Sequence, residues 1–208
     1  MMKSIVLLLT TFIFILSGCA QSNSNEERSV GSSCEDCEMM FEGMPQNLLW
    51  QTTISGSDEP GEPLIIRGTI FKPDGKTPAP DVILYVYHTN SKGKYSPTPK
   101  QTDAKRHGHL RGWIKTDAQG RYEFKTIRPG SYPFRKDPQH IHPIVKESNT
   151  SVYWIDEFLF DDDPLLTEEQ KVRHQKRGGS GIITLTKDAN GVWIGRRDII
   201  LGLNVPGY

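Results

Sequence analysis

The stretch from Pro138 to Val145, PQHIHPIV, carries two histidines two positions apart, His140 and His142. On a β-strand, side chains at positions i and i+2 point to the same face, so these imidazoles project together and Ile141 points the other way. Two imidazoles on one face can bind a single metal ion. The same spacing also fits hydrogen-bonded polar side chains, so a metal site needs further ligands from elsewhere.

Two tyrosines outside the strand patterns are candidate ligands. Tyr95 ends the polar loop SKGKY, and Tyr132 lies in the turn RPGSYP just before the two histidines. A phenol rarely ionises unaided, but a ferric ion stabilises the phenolate. Two tyrosinates and two histidines would suit ferric iron and leave room for an exogenous ligand. The remaining strand tyrosines are expected to pack, and His107 and His109 are interpreted as surface histidines.

The elements that must position these side chains are short strands. Runs rich in Val, Ile, Thr and aromatic residues alternate with turn sequences such as PDGKTPAP, DAQG and DANG. This pattern predicts an all-β antiparallel sandwich with long loops. A capping box from Thr167 to Gln170 predicts one short helix that ends near residue 175. We expect one domain over residues 38–208.

The N-terminus resembles a secretory signal. One lysine precedes an apolar run from Ile5 to Leu16, which is shorter than the roughly 20 residues that span a bilayer. An uncleaved anchor helix is the alternative. The ending LSGC resembles a bacterial lipobox, which implies a signal peptide over residues 1–18 and lipidation of Cys19. Ala20 follows instead of an inner-membrane retention signal, so the outer membrane is the expected location.

Residues 19–37 are interpreted as the lipidated cysteine and a flexible tether. Cys34 and Cys37 remain as an even pair, CEDC, which in a secreted chain favours a disulfide. A zinc site would need a second CxxC pair, and a thioredoxin-like role would need a βαβ context. The chain has 25 basic and 25 acidic residues and a formal net charge of zero, which argues against nucleic acid as a partner.

Three segments together resemble the intradiol ring-cleavage dioxygenase family: DVILYVYHTNSKGKYS, LRGWIKTDAQGRYEFKTIRPGSYP and PQHIHPIV. The resemblance covers residues 61–166 and implies mononuclear ferric iron bound by Tyr95, Tyr132, His140 and His142. It also implies a catechol-type substrate, dioxygen as co-substrate and a muconate-type diacid as product. Tyr132 would leave the metal and take up a proton, whereas Tyr95 would remain bound.

Two departures from the family pattern bear on the substrate. Asp137 stands directly before Pro138, where the family usually has an arginine that stabilises negative charge on the substrate, and Arg111 or Arg135 would have to supply that cation. The interval from Tyr132 to His140 is also short, and the missing loop would change the pocket wall. Iron binding with lost or altered turnover is therefore an open alternative.

The strand-and-turn sequences also resemble transthyretin-like and carboxypeptidase-regulatory-like sandwich domains. Those domains would make the protein a binding or structural lipoprotein without iron chemistry. The set of two tyrosines and two histidines separates the two interpretations, because such domains do not require it. The dioxygenase resemblance leaves self-association open as well.

Overall fold

The computed structural model describes residues 27–96, 107–174 and 176–208, which form a two-sheet β-sandwich. The described residues contain a 3₁₀ helix at Cys37–Phe41, an α-helix and twelve strands. In chain order these are β1 (Gln51–Thr53), β2 (Pro63–Phe71), β3 (Ile83–Tyr87), β4 (Arg111–Lys115), β5 (Arg121–Ile127), β6 (His140–Lys146), β7 (Tyr153–Trp154), β8 (Phe158–Phe160), α1 (Glu168–Arg173), β9 (Ile182–Ile183), β10 (Leu185–Lys187), β11 (Trp193–Arg196) and β12 (Ile199–Ile200).

The first sheet has the strand order β1-β5-β2-β11-β10, and β12 also pairs with β2. Leu64, Ile66 and Ile70 of β2 are buried and alternate with partly exposed positions, as expected for a strand with one face in the core. The long antiparallel pairing of β2 with β5 runs from Pro63–Ile127 to Thr69–Arg121 and forms the backbone of this sheet.

The second sheet has the order β4-β3-β6-β8-β9, and β7 also pairs with β6. Ile141 and Val145 of β6 lie in the main core between the sheets, as do Leu84 and Val86 of β3. Phe124 of β5 and Phe158 of β8 meet edge-to-face across that core, with ring centroids 5.7 Å apart. The opposite face of the second sheet is therefore available for other contacts.

That outer face carries a second, smaller apolar cluster. Tyr85 and Ile144 pack there against Met40 and Cys37 of the 3₁₀ helix. The Trp113 indole N–H donates to the Met40 carbonyl oxygen at 2.5 Å. Cys37 is joined to Cys34 in a disulfide, with their Cα atoms 5.5 Å apart. The N-terminal segment thus covers part of the outer face.

The predicted β-sandwich with one short helix is confirmed, but its sheets are mixed. Parallel pairs join β1 to β5, β11 to β2, β12 to β2 and β8 to β9. The antiparallel prediction fails for these pairs because they join segments far apart in sequence, which turn signals do not specify. The capping box at Thr167 is present, and α1 ends at Arg173, while residue 175 lies outside the described residues.

The predicted signal peptide, Cys19 and the first residues of the tether also lie outside the described residues. Within the part of the chain that the structure describes, no helix has the length and apolar character needed to cross a membrane.

Candidate metal centre

His140 and His142 lie on β6 and project to the outer face of the second sheet. Ile141 between them is fully buried in the core, which fixes the orientation of the two imidazoles. Their ring centroids are 4.6 Å apart with nearly perpendicular planes. The face predicted from the i, i+2 spacing is therefore the observed one.

The two tyrosines come from loops that pack backbone against backbone. The Gly130 N–H donates to the Asn90 carbonyl oxygen at 2.9 Å. The Thr89 hydroxyl donates to the Gly130 carbonyl oxygen at 2.7 Å. Gly93 has φ +72°, and a Cβ atom there would lie 1.8 Å from the Ser131 carbonyl oxygen. Glycine is required because no side chain fits between the loops that carry Tyr95 and Tyr132.

The four side chains converge on one point. The Tyr132 hydroxyl oxygen lies 2.8 Å from that of Tyr95. It lies 3.2 Å from His140 Nε2 and 3.3 Å from His142 Nε2. Ligands that share a cation at about 2 Å are themselves separated by about 3 Å, so this donor set fits one metal ion.

The orientation of His140 leaves a lone pair directed at that point. Its Nδ1 lies 2.7 Å from the Pro138 carbonyl oxygen, and because a carbonyl only accepts, Nδ1 carries the proton. Nε2 is then unprotonated and faces the tyrosines. The backbone just before His140 is also held in place, because the Gln139 N–H donates to the Asp163 carboxylate at 2.6 Å. Such an outer hydrogen bond is what orients a metal-binding histidine.

Burial favours the uncharged forms of three of the four converging side chains. Burial raises the pKa of the Tyr95 phenol well above its ordinary value, and the neighbouring Tyr132 adds to the effect. Burial likewise raises the pKa of Tyr132. Burial lowers the pKa of His142 well below its ordinary value, with smaller contributions from nearby imidazoles. The phenols stay protonated and His142 stays neutral until a positive charge stabilises the phenolates.

Two residues outside the predicted ligand set support the site. Tyr87 pairs in register with His142 across β3 and β6, and their rings stack with centroids 4.7 Å apart. The His107 ring also stacks on Tyr87, with the ring centroids 3.6 Å apart. His107 is buried and hydrogen bonded to the Tyr85 hydroxyl at 2.9 Å. The surface interpretation of His107 is therefore wrong.

His109 is partly buried in an ion pair beside the Tyr95 loop. Its Nδ1 bonds the Ser96 carbonyl oxygen at 2.5 Å, and its Nε2 lies 2.7 Å from the Glu59 carboxylate. Burial alone would lower the pKa of His109, but the bonds to Glu59 and Ser96 raise it. No spacing signal links position 59 to position 109, so the sequence could not predict this pair.

A cavity of about 470 Å³ opens beside three of the four converging residues. Tyr132, His140 and His142 line it, whereas Tyr95 is not among its lining residues. Its apolar wall comes from Trp154, Leu159 and Leu166, and its α1 side from Gln170 and Arg173. The volume lies within the range of small-molecule sites.

Of the two candidate arginines, Arg135 lines this cavity and Arg111 does not. The Arg135 guanidinium lies over the Tyr132 ring, 5.4 Å from the centroid, and its Nε is 2.5 Å from the Asp137 carboxylate. Arg111 lies over the Trp113 ring and 3.8 Å from Glu42. Its face of β4 is covered by the N-terminal segment, so the structure does not support Arg111 as the expected cation at the site.

Among the described residues, no group of three or more His, Cys, Asp and Glu side chains could hold a metal ion. The mixed tyrosine and histidine set is therefore the candidate metal centre. Its donors combine hard phenolate oxygen with imidazole nitrogen, which suits ferric iron.

Known proteins resemble this chain in sequence. The sequence model of a family described as Dioxygenase matches residues 42–174. Catechol 1,2-dioxygenase 1 of Acinetobacter lwoffii is 33% identical over 152 residues, which cover 60% of this chain and 47% of that protein. The protocatechuate 3,4-dioxygenase beta chain of Burkholderia cepacia is 30% identical over 125 residues, covering 57% and 53%.

Solved structures share the fold. Catechol 1,2-dioxygenase from Acinetobacter sp. ADP1 matches with a TM-score of 0.57 and 25% identity, over 76% of this chain and 58% of that chain. The dioxygenase domain of a carbohydrate-binding fusion protein from Streptomyces sp. SirexAA-E matches with a TM-score of 0.56 and 22% identity, over 76% and 91%.

The chain spans about half the length of the curated relatives it matches, 47% and 53% in the two cases above. The family match, by contrast, covers most of the described sandwich and includes all four converging residues. The chain belongs to the intradiol ring-cleavage dioxygenase family.

Proposed function

We propose that the protein is a mononuclear ferric-iron dioxygenase that opens a catechol-type ring between its two hydroxyls and produces a muconate-type diacid. The observation that carries this proposal is the convergence of Tyr95, Tyr132, His140 and His142 beside a cavity. The relatives named as catechol and protocatechuate dioxygenases support the reaction and the substrate class.

The four converging side chains would hold the iron. When bound, iron would supply a Lewis-acidic, redox-active centre that makes the catecholate ring reactive toward dioxygen. His140 is oriented by its bond to the Pro138 carbonyl oxygen, and the stacking of Tyr87 on His142 restricts that ring. The protein therefore presents its donors in a fixed arrangement, which lowers the cost of assembling the site.

Tyr132 is the residue placed to exchange a proton with the substrate. It faces the cavity, whereas Tyr95 is not part of the cavity wall. Burial raises the pKa of Tyr132, so its phenol oxygen holds a proton firmly when it is away from a cation. We expect a hydroxyl proton of the incoming catechol to move to the Tyr132 oxygen, with Tyr95 unchanged.

The cavity walls would orient the ring and limit water. Trp154, Leu159 and Leu166 offer apolar surface for an aromatic ring next to the imidazoles. Excluding water strengthens the electrostatic interactions inside such a site. Arg135 lies at the same wall beside Tyr132, where it is paired with Asp137, the residue that stands in place of the expected arginine.

Iron-loaded protein tests this proposal. We expect one iron per chain, a red-brown tyrosinate colour, a colour shift on adding catechol, and oxygen uptake with formation of the diacid. Tyr95→Phe and His142→Ala should bleach the colour. Tyr208→Phe is a matched control, because its hydroxyl bonds Glu147 and neither residue lines this cavity.

Each failure has a distinct meaning. Protein that stays colourless and iron-free despite iron supply would favour a sandwich that only binds or supports a partner. Coloured protein that binds catechol without taking up oxygen would mean that iron binding survives and turnover is lost, with Asp137 as the first residue to exchange for arginine.

We also propose that the mature chain is anchored in the bacterial outer membrane through a lipid on Cys19. The sequence LSGC after an apolar run supports this placement. Labelled palmitate should be incorporated into the wild-type protein and not into Cys19→Ala, which should be released from the membrane fraction. Equal membrane retention of both proteins would contradict the anchor.

A further inference from the structure

Two cavities border the candidate metal centre, and Glu157 lines both. The first, of about 470 Å³, also has Arg135, Asp137, Asp156 and Arg173 on its walls. The second, of about 360 Å³, is lined by residues that include Glu35, Tyr87, Trp154 and Glu157. No lysine or arginine of the described residues lines the second cavity.

The cations of the first cavity are already engaged by carboxylates. Arg135 is held 2.5 Å from Asp137. Arg173 forms an ion pair with Glu169 on the exposed side of α1. Asp156, in turn, is paired with His174. Arg135 and Arg173 therefore do not present an unopposed positive charge to a bound ligand.

Glu157 is in a different situation. Within the described residues, its one ion-pair neighbour within 4.0 Å is His142, whose Nδ1 lies 3.8 Å away. The buried Arg197 interacts with this carboxylate only at longer range. The Glu157 side chain is 41% exposed, so its negative charge reaches the cavity. A neutral imidazole bound to metal would not cancel that charge.

The position directly before Pro138 adds to this imbalance. Asp137 occupies it with a carboxylate, so the wall beside Tyr132 contains an acidic group as well as Arg135. The first cavity is lined by three carboxylates and two arginines, and one of the carboxylates, Asp156, is paired with His174. The second cavity is lined by two carboxylates and by no arginine or lysine among the described residues. A ligand carboxylate near this wall would meet like charge.

We infer, on the basis of the proposed function, that the site selects catechols whose ring carries a protonated amine over those whose ring carries a carboxylate, and that Glu157 determines this selectivity. The ring would lie in the first cavity beside Tyr132. A cationic substituent would pair with Glu157, which lines both cavities.

The test compares three ligands on anaerobic iron-loaded protein: catechol, catechol with an aminoethyl chain, and catechol with a carboxymethyl chain. Dissociation constants come from the colour change and from calorimetry, so turnover plays no part. We expect the amine to bind at least about tenfold more tightly than the carboxylate. The preference should weaken as salt rises, because the Glu157 carboxylate is partly exposed.

Glu157→Gln should reduce the ratio between amine and carboxylate to within about threefold. Glu168→Gln is the matched control on α1 and should keep the wild-type ratio, because Glu168 is exposed, pairs with Lys171, and neither residue lines either cavity. A wild-type ratio near one, or an unchanged ratio in Glu157→Gln, would overturn the inference while catechol binding still supports the proposed function. If catechol itself does not change the colour of the iron-loaded protein, both the inference and the proposed function fail.

Discussion

At the scale of single residues, the candidate centre depends on side chains that hold the four donors as much as on the donors themselves. The spacing of His140 and His142 predicts a shared face, and the family resemblance identifies Tyr95 and Tyr132. Tyr87 and His107 escape sequence reasoning because strand periodicity indicates the face of a side chain and not its neighbour. Their stack against His142 becomes visible only when β3, β6 and the loop before β4 are assembled.

Tyr87 provides a prediction at this scale. Replacing Tyr87 by leucine removes the ring that stacks on His142 at 4.7 Å, so we expect iron affinity to fall by about three- to tenfold. Tyr87→Phe keeps the ring and should remain within about twofold of the wild type. Competition with a chelator measures the affinities. Equal affinity in the leucine and phenylalanine variants would show that the stack does not support the site.

At the scale of elements, the boundaries of β2, β5 and β6 agree with the apolar runs PLIIRGTIF, RYEFKTI and HIHPIVK. The run SVYWIDEFLF, by contrast, divides into two short strands, β7 and β8. Local patterns predict the individual strands well. They could not predict the parallel pairs, because β1, β11 and β12 join partners that the chain reaches only after long connections.

The close contact between the two tyrosine loops gives a prediction about elements. Gly93→Ala should cost well over 1 kcal/mol and abolish iron binding, because a Cβ atom would lie 1.8 Å from the Ser131 carbonyl oxygen and push Tyr95 away from Tyr132.

Gly191→Ala is the matched control. Gly191 also has a positive φ, +79°, but no atom lies within 4 Å of the point that its Cβ would occupy. We expect this variant to lose about 1 kcal/mol of stability and to keep its iron. Urea denaturation and iron content distinguish the two variants, and a normal iron content in Gly93→Ala would refute the role of the loop contact.

At the scale of the whole molecule, the sandwich places its core on one side of β6 and its candidate chemistry on the other. The class of fold could be predicted from the sequence, because regular short strands and turn residues specify a sandwich. Long-range partners such as Glu59 with His109, and Arg128 with Asp162, could not. Nothing in local sequence encodes which loops meet once the two sheets pack.

His88 links the two sheets and gives the molecule a predicted acid sensitivity. Its ring bonds the Thr126 hydroxyl of β5 at 2.7 Å and the Thr89 carbonyl oxygen at 2.7 Å. Burial lowers the pKa of His88 to about 4. In the unfolded chain, the His88 imidazole takes up a proton near pH 6.5, whereas in the folded protein it stays neutral until about pH 4. The contribution of His88 to the free energy of unfolding is therefore present above pH 6.5 and is lost as the pH falls toward 4.

The loss from this one group should be on the order of 3 kcal/mol by pH 4. An NMR titration of the metal-free protein should find the His88 imidazole neutral at pH 5, and urea denaturation should show the stability falling over the same range. Protonation of His88 near pH 6.5 without loss of the fold would contradict this prediction.

The most direct test of the central claim is anomalous diffraction at the iron edge from crystals of the iron-loaded protein. We predict one strong peak per chain, bonded at about 2 Å to the phenol oxygens of Tyr95 and Tyr132 and to Nε2 of His140 and His142. A peak at another position, or no peak in crystals of folded protein grown with iron, would contradict the assignment of a metal centre.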